Sequence, residues 1–333
     1  MEQRIRDRFN PQILAETAAR YGVDAAQLQE LDGFESFIFE FTRDDQPLIL
    51  RLGHSLRRSP NLIRGEVDWI NYLARGGAGV ARAVDSTQGE LVELIDDGLG
   101  AYFLATVFVK AAGGRPAWEG QTPAFLERYG QAIGRMHRLT KAYTPTDATC
   151  ERPHWDSPEL AGFYDYLPAG EAYTRDALSA LYARLAALPQ DETYGLVHQD
   201  AHPGNFFVDD AGALTFFDFD DCCYSWFVND IAIVLFYNIN NRADAAAYTA
   251  YFLTHFLRGY ARENRFDPAW FAHIPDFLKL RELDLYAVIH RDFDVNNIDH
   301  PWVARYMEGR KARIESNVPY VDFDFAQLQW PES

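Results

Sequence analysis

The two most informative patterns in the sequence are LVHQDAHPGNFFV at residues 196–208 and FFDFD at residues 216–220. The first opens as an apolar strand and carries His198 and Asp200 onto a loop that closes with a Pro-Gly pair. A second strand follows this loop, and the turn sequence DDAG separates it from a return strand. The two stretches therefore predict a polar loop followed by a β-hairpin.

The predicted hairpin runs from Asn205 to Asp218. We expect Val208 to pair with Ala213, and in this register Asn205 and Asp218 lie two ladder steps, about 7 Å, apart. Side chains that bend toward one ion can span that gap, with Asp200 nearby. Mg²⁺ prefers oxygen ligands and takes its remaining ligands from phosphate and water. The hairpin thus predicts an amide oxygen and a carboxylate beside one hard cation.

These groups suit phosphoryl transfer, which needs a metal on the phosphates and a carboxylate that orients the acceptor hydroxyl and takes its proton. The pattern H-x-D-x-x-x-x-N, followed by a D-F-x strand, is typical of the kinase superfamily. The sequence has no G-x-x-x-x-G-K-[ST] stretch, which excludes a P-loop enzyme. The motif therefore predicts a kinase.

The sequence resembles the aminoglycoside phosphotransferase and choline kinase-like family. The resemblance rests on HQDAHPGN and FFDFDD, on IGRMH at residues 133–137 and on NDIA at residues 229–232, and it extends from Gly33 to about Tyr286. It implies an α+β, two-lobed protein-kinase-like fold with a small antiparallel-sheet N-lobe and a mainly helical C-lobe. It also implies ATP as the phosphate donor and Mg²⁺ as the metal.

By the same resemblance, Asp200 is the catalytic base, and Asn205 and Asp218 are the Mg²⁺ ligands. Arg51 takes the place of the lysine that contacts the α- and β-phosphates, and Glu66 is the helix carboxylate that pairs with it. An arginine here departs from the lysine of protein kinases, although its planar fork can hold Glu66 and a phosphate together.

The implied nucleotide site has further members elsewhere in the sheet lobe. Gly33 and Ser36 belong to a turn that would lie over the phosphates, while Phe108 and Lys110 mark a strand exit that would offer backbone groups to the adenine. Asp220 stands where protein kinases have a glycine. Two interpretations of Asp220 stay open: it assists a second Mg²⁺, or it holds the turn.

The lobes are predicted at residues 1–110 and 111–333. A helix is expected from Pro60 to Arg75, because Ser59 can cap it, proline suits its first position and a Gly-Gly pair follows its end. Glu66 lies on the apolar stripe of this helix, and a buried carboxylate requires a cationic partner. The other predicted strands are Leu28 to Leu31, Ser36 to Phe41, Pro47 to Leu52 and Ala101 to Val109. The other predicted helices are Pro123 to Thr140, Glu171 to Leu188, Phe227 to Ile239, Ala243 to Tyr260, Asp267 to His290 and Trp302 to Ser316.

The charge and hydropathy of the chain limit the classes of partner that it can bind. A net charge of −18 over 333 residues argues against nucleic acid or an anionic membrane as the main partner. No segment approaches the roughly 18 consecutive apolar residues of a membrane span. The opening MEQRIRDRFN is charged rather than apolar, so it does not read as a secretory signal. These features predict a cytoplasmic protein.

The segment after the metal motif separates the kinase classes. Protein kinases carry a long activation segment that ends in A-P-E, whereas here a helical pattern resumes near Trp226 and no A-P-E follows. This favours a small-molecule acceptor. A compact protein serine/threonine kinase and a non-catalytic nucleotide-binding module remain as alternatives.

The richest candidate acceptor surface lies on the predicted helix near residue 285. Arg281, Asp284 and Tyr286 are the candidate acceptor contacts, and salt links and packing along a long helix explain them equally well. Acidic and aromatic residues suit an amine-bearing alcohol, such as an amino sugar or a choline-like compound. The arginines suit an amino acid such as homoserine, and the sequence does not choose between these acceptors.

Overall fold

The computed structural model describes residues 2–33, 35–118, 120–161 and 165–332. Within them, the chain forms two compact units. The first consists of residues 1–115, 142–152 and 206–220, and the second of residues 116–141, 153–205 and 221–333. The first unit therefore includes two segments that lie beyond the sequence boundary placed at residue 110.

The strands form an antiparallel sheet in the first unit and two small ribbons. They are β1 (Gln29–Leu31), β2 (Phe37–Arg43), β3 (Gln46–His54), β4 (Ala83–Val84), β5 (Glu93–Asp96), β6 (Tyr102–Val109), β7 (Tyr194–Val197), β8 (Phe206–Val208), β9 (Leu214–Phe216) and β10 (Cys223–Trp226). The sheet has the order β1-β2-β3-β6-β4, and β5 also pairs with β6. Alternate residues of β3 are buried, as expected for a strand with one face on a core. The β2–β3 turn is formed by Asp44 and Asp45, both at positive φ.

The α-helices are α1 (Gln3–Arg6), α2 (Pro11–Arg20), α3 (Pro60–Arg75), α4 (Pro123–Thr140), α5 (Pro158–Ala161), α6 (Ala172–Ala186), α7 (Phe227–Ile239), α8 (Ala245–Tyr260), α9 (Ile274–Asp292), α10 (Pro301–Met307) and α11 (Arg310–Glu315). Short 3-10 helices lie at Ala25–Gln27, Ala148–Cys150, Pro268–His273 and Phe325–Gln327. The predicted bounds of α3, α4 and α7 are confirmed. In α3 the Ser59 side chain accepts the Leu62 N–H, so the predicted cap is present.

Two helix predictions were wrong in part. The helix expected from Trp302 to Ser316 is two helices, because Gly309 adopts φ 64 and breaks the regular backbone between them. The helix expected from Asp267 begins as the 3-10 turn Pro268–His273, and α9 starts only at Ile274. In the described part of the chain, no helix is both long and apolar enough to span a bilayer.

The hairpin of β8 and β9 exists, but its predicted register was wrong by one residue. Val208 pairs with Leu214, not Ala213. The cause is the turn: the Asp209 N–H donates to the Ala213 carbonyl at 3.1 Å, and Gly212 at φ 79 completes a three-residue loop with a left-handed glycine. The ladder ends at Phe216, and Asp218 has φ 65, so the two-step spacing expected from an extended ladder does not apply.

Helices α4 and α8 cross closely in the second unit. A Cβ at Gly130 of α4 would lie 1.9 Å from the Phe256 carbonyl oxygen, and a Cβ at Gly259 of α8 would lie 1.8 Å from that of Glu127. Real side chains do not tolerate such distances, so both positions require glycine. The close crossing fixes α4, which carries His137, one of the side chains that position the loop described next.

Candidate active site

One carboxylate, that of Asp230, anchors the HQD loop, residues 198–205. Asp230 of α7 accepts the backbone N–H groups of His198 at 2.9 Å and Gln199 at 2.8 Å. Its Oδ2 also lies 3.0 Å from Nε2 of His137, which is stacked on Phe227. Burial opposes the charge of Asp230, but the His137 hydrogen bond and nearby charges outweigh it, so its pKa lies below the usual value. Asp230 therefore anchors the HQD loop.

Two histidines hold the shape of the HQD loop. Nδ1 of the buried His198 accepts the Asp200 N–H at 3.3 Å. Nδ1 of His202 accepts the Gly204 N–H at 2.9 Å, and its Nε2 lies 3.4 Å from Oδ2 of Asp200. His198 thus holds the backbone at Asp200, and the His202 ring lies beside the carboxylate.

Asp200 is held by donors on both carboxylate oxygens. Arg281 of α9 donates to Oδ1, and Nδ2 of Asn205 donates to Oδ2 at 2.9 Å. Burial opposes the charge of Asp200, but His202 and Arg281 favour it more strongly, and its pKa lies well below the usual value. The candidate base is therefore ionised and fixed in direction.

Asn205 is oriented by Asp200. Its Nδ2 donates both to the backbone carbonyl and to Oδ2 of Asp200, each at 2.9 Å. This orientation leaves the amide oxygen as the group that can bind a hard cation. No group of three His, Cys, Asp or Glu side chains in the described residues could hold a metal, so a cation here would rely on this amide, one carboxylate and phosphate oxygens.

Arg51 and Glu66 form the predicted pair in the first unit. Nη1 and Nη2 of Arg51 lie 2.7 and 2.6 Å from the two oxygens of Glu66, and Glu66 is 0% exposed. The Arg51 guanidinium also lies 5.1 Å from the ring centre of Phe108. The cationic partner expected for Glu66 is therefore confirmed, and the bidentate geometry fixes the direction of Arg51.

The turn that contains Gly33 has no room for a side chain at that position. A Cβ on Gly33 would lie 2.1 Å from the Ser36 carbonyl oxygen, so glycine is required there. Phe34, in the same turn, lies outside the described residues. At the other predicted end of the nucleotide site, Lys110 pairs with Glu40 at 2.6 Å and its N–H donates to Pro47 at 3.1 Å. That N–H is therefore not available to an adenine.

Asp220 is bound by arginines. Nη2 of Arg57 lies 2.7 Å and Nε of Arg58 lies 3.1 Å from Oδ2 of Asp220, and Arg57 also pairs with Glu35. The buried Arg152 donates to the Asp220 carbonyl at 2.7 Å. Burial opposes the charge of Asp220, but Arg57 and Arg58 outweigh it, so its pKa lies well below the usual value. This network favours the structural interpretation of Asp220 over a second metal ligand.

The three candidate acceptor residues of α9 have different surroundings. Arg281 contacts Asp200 and the Tyr237 hydroxyl. Asp284 is 4% exposed, and burial raises its pKa to about 8. Tyr286 is 2% exposed and interacts with Glu171, so it is not presented to a ligand. The structure thus brings Arg281, but not Tyr286, to the candidate base.

Several residues of the site were missed by the sequence analysis. Tyr237 lies on α7 two helical turns after Asp230, and its position on the same helix face was the available signal. Arg57 and Arg58 are adjacent cations between β3 and α3 in an acidic chain. No sequence signal linked Arg152 to this site, because its partners depend on how the chain folds back.

The sequence model of the phosphotransferase enzyme family (APH) matches residues 27–270, more than half of the chain. The chain belongs to this family. It is therefore an enzyme, a small-molecule kinase, as the sequence predicted. Amicoumacin kinase of Bacillus subtilis (strain 168) is 40% identical to it over 322 residues, which are 95% of this phosphotransferase and 95% of that protein.

Solved structures agree with this assignment. The amicoumacin kinase hAmiN in complex with AMP-PNP, Ca²⁺ and Ami matches with a TM-score of 0.92 at 35% identity, over 99% of this chain and 100% of that one. The microcompartment-associated aminopropanol kinase matches in fold, with a TM-score of 0.74 at 21% identity over 93% and 98% of the two chains. The predicted α+β, protein-kinase-like fold is confirmed.

Proposed function

We propose that this phosphotransferase moves the γ-phosphate of ATP to a hydroxyl of amicoumacin or of a closely related small molecule. The acceptor is suggested by a relative that is 40% identical over nearly the whole chain and is named amicoumacin kinase. The donor is suggested by the hAmiN complex, which contains AMP-PNP. Amino sugars, amino alcohols and homoserine are the alternative acceptors, and the cytoplasmic location stays a prediction.

Asp200 is the proposed base, and the observation that carries this role is its fixed, ionised carboxylate on the HQD loop. Asp200 accepts the proton of the acceptor hydroxyl while the hydroxyl oxygen forms a bond to the γ-phosphorus. The bond from that phosphorus to the bridging oxygen breaks, and ADP leaves with the electron pair. A base fixed in direction costs no reorganisation at the moment of proton transfer.

Asn205 and Asp218 are the proposed ligands of a divalent cation, with Mg²⁺ as the expected metal. The free direction of the Asn205 amide oxygen fits a hard cation. When bound, the cation supplies neutralisation of charge on the phosphates. Asp220 is left out of this ligand set, because Arg57 and Arg58 hold its carboxylate.

The nucleotide contacts are proposed as the resemblance implies them. Arg51, oriented by Glu66, binds phosphate oxygens, and the turn with Gly33 and Ser36 lies along the phosphates. Phe108 and Lys110 mark the strand exit near the adenine, where backbone groups other than the Lys110 N–H serve as partners.

The test is label transfer from γ-labelled ATP to amicoumacin, with amino alcohols, amino sugars, homoserine and a generic protein in parallel. We expect label on amicoumacin and a mass increase of one phosphate. The Asp200→Asn variant serves as the inactive control. Label on one of the other small molecules alone would replace the acceptor, and label on protein alone would favour a protein kinase.

A further inference from the structure

Arg281 is the only arginine or lysine among the described residues that hydrogen-bonds to the candidate base, and its own Nε has no hydrogen-bond partner among them. Its Nη2 donates to Oδ1 of Asp200 and to the Tyr237 hydroxyl, and its guanidinium lies 5.2 Å from the ring centre of Tyr237. Its Nε is buried and has no hydrogen-bond partner among the described residues. A buried donor without a partner costs free energy of desolvation. In this position Arg281 therefore lacks one hydrogen bond that it could form.

Asp284 has an acceptor oxygen that lacks a donor, which complements the unpartnered Nε donor of Arg281. Its Oδ1 is buried and has no hydrogen-bond partner among the described residues, although the side chain is 4% exposed. Asp284 follows Arg281 by three residues on α9, so the two side chains leave the same face of the helix. One donor and one acceptor, both buried and both unsatisfied, are therefore neighbours.

The present position of Arg281 also obstructs the proposed reaction. Oδ2 of Asp200 is already bound by Asn205, and Nε2 of His202 lies beside it. Oδ1 is the remaining oxygen, and Arg281 covers it. An acceptor hydroxyl that donates its proton to Oδ1 therefore competes with this guanidinium for the same oxygen.

We infer that Arg281 is a positioning residue with two partners: it covers Asp200 while no acceptor is bound, and it pairs with Asp284 when the acceptor hydroxyl takes its place. This inference rests on the proposed function. The pairing with Asp284 would give hydrogen-bond partners to both Nε of Arg281 and Oδ1 of Asp284. The guanidinium would stay on the same face of α9.

A covered base has a chemical consequence. Water is a small hydroxyl donor that can replace the acceptor, and ATP hydrolysis then competes with transfer. With Arg281 on Oδ1, water has to compete with the guanidinium for this oxygen of the base. Removing the guanidinium exposes that oxygen before any acceptor arrives.

The first experiment needs no acceptor. Hydrolysis of ATP with Mg²⁺ is measured for the wild type, Arg281→Met and Arg281→Lys, with Arg291→Met as the matched control on α9, where Arg291 pairs with Asp292. We expect Arg281→Met to raise hydrolysis at least about tenfold, since base catalysis by a positioned side chain contributes factors of this size or more. Arg281→Lys keeps a cation beside Asp200 and should raise hydrolysis less than Arg281→Met does. Arg291→Met should stay near the wild-type rate, and Asp200→Asn combined with Arg281→Met should abolish the gain.

The second experiment tests the handover, which is the change of Arg281 from Asp200 to Asp284, and it uses the acceptor identified by label transfer. We expect Asp284→Asn to raise the acceptor KM about fivefold to tenfold while the KM for ATP stays constant, because Arg281 has lost its second partner. In the Arg281→Met background the same substitution should have little further effect on kcat/KM, whereas Asp292→Asn should have none in either background. A double-mutant cycle of this kind separates coupled from independent residues.

The outcomes separate the two proposals. If the wild type transfers phosphate and Arg281→Met hydrolyses ATP no faster than the wild type, the covering role is wrong while the proposed function stands. Additive effects of Arg281→Met and Asp284→Asn would overturn the handover. If the wild type transfers phosphate to no small molecule, the proposed function itself fails.

Discussion

The two units each contain a partly buried arginine–carboxylate pair, and the pairs differ in how completely their hydrogen bonds are satisfied. In the first unit, Arg51 donates two parallel hydrogen bonds, of 2.7 and 2.6 Å, to the Glu66 carboxylate. In the second unit, Arg281 shares one nitrogen between Asp200 and Tyr237 and leaves Nε without a partner among the described residues. The first pair therefore fixes one geometry. In the second pair, the unpartnered Nε leaves Arg281 a donor that a different partner can use.

Asp200→Asn gives the largest expected effect, because it removes the carboxylate from the less satisfied pair. We expect kcat to fall by about 10³-fold, within the usual contribution of a general base, while the affinity for ATP changes little. Steady-state transfer rates and a nucleotide-binding titration measure the two quantities. A variant that retains full activity would show that Asp200 is not the base.

Arg51→Met breaks the satisfied pair and should mainly cost stability. It leaves Glu66 buried and unpaired, so we expect the free energy of unfolding to fall by about 3 kcal/mol, and the KM for ATP to rise. Arg281→Met should cost about 1 kcal/mol or less, since Asp200 keeps Asn205 and His202. Urea unfolding compares the two variants, and equal losses would contradict the contrast.

A matched double variant separates charge from packing in the first pair. Replacing Arg51 with Met and Glu66 with Leu removes both charges, and a buried ion pair is often replaced by apolar side chains without loss. We expect this variant to recover most of the stability that Arg51→Met alone loses. No recovery would mean that the guanidinium packs against Phe108 rather than serving the carboxylate.

Asp284→Asn should change how stability depends on pH. Its folded pKa, raised by burial to about 8, lies above the unfolded value of about 3.9, so the folded state binds more protons between these pH values. The contribution of Asp284 is therefore fully present below about pH 4 and is lost as pH rises toward 8. Relative to the wild type, Asp284→Asn should gain roughly 1 kcal/mol of stability per pH unit across this window. Thermal unfolding at pH 5, 6.5 and 8 measures the gain, and a constant difference would contradict it.

Asp220→Asn gives the smallest expected effect. Arg57 and Arg58 keep other contacts near this position, including that of Arg57 with Glu35, so we expect activity to fall less than about tenfold. The Mg²⁺ concentration for half-maximal activity should not change. A large increase in that concentration would favour a second metal ligand and reverse our interpretation of Asp220.

The sequence predicted features that depend on local chemistry. The bounds of α3 follow from its capping serine, its first proline and its apolar stripe, and the partner of Glu66 follows from the cost of burying a lone carboxylate. The hairpin register was missed because it depends on the left-handed conformation of Gly212, which the composition of the turn did not reveal. The break at Gly309 was missed for the same reason.

Contacts between distant parts of the chain were beyond the sequence. Arg281 and Asp200 are 81 residues apart, and α9 offered several charged residues with equal claims to the site. Tyr286 was named beside Arg281, but helical geometry directs it to Glu171. Only the folded arrangement of α7, α9 and the HQD loop shows which side chain reaches the base.

The side-chain amide of Asn205 carries a hydrogen-bond donor and an acceptor in one planar group. Its NH₂ end steadies the negative Asp200, while its oxygen end faces away. Because the two ends are conjugated, a positive ion drawn to the oxygen would polarise the group and make its N–H a stronger donor. Exchange for aspartate would place a second anion against the first, so this site has reason to keep a neutral residue of the same shape.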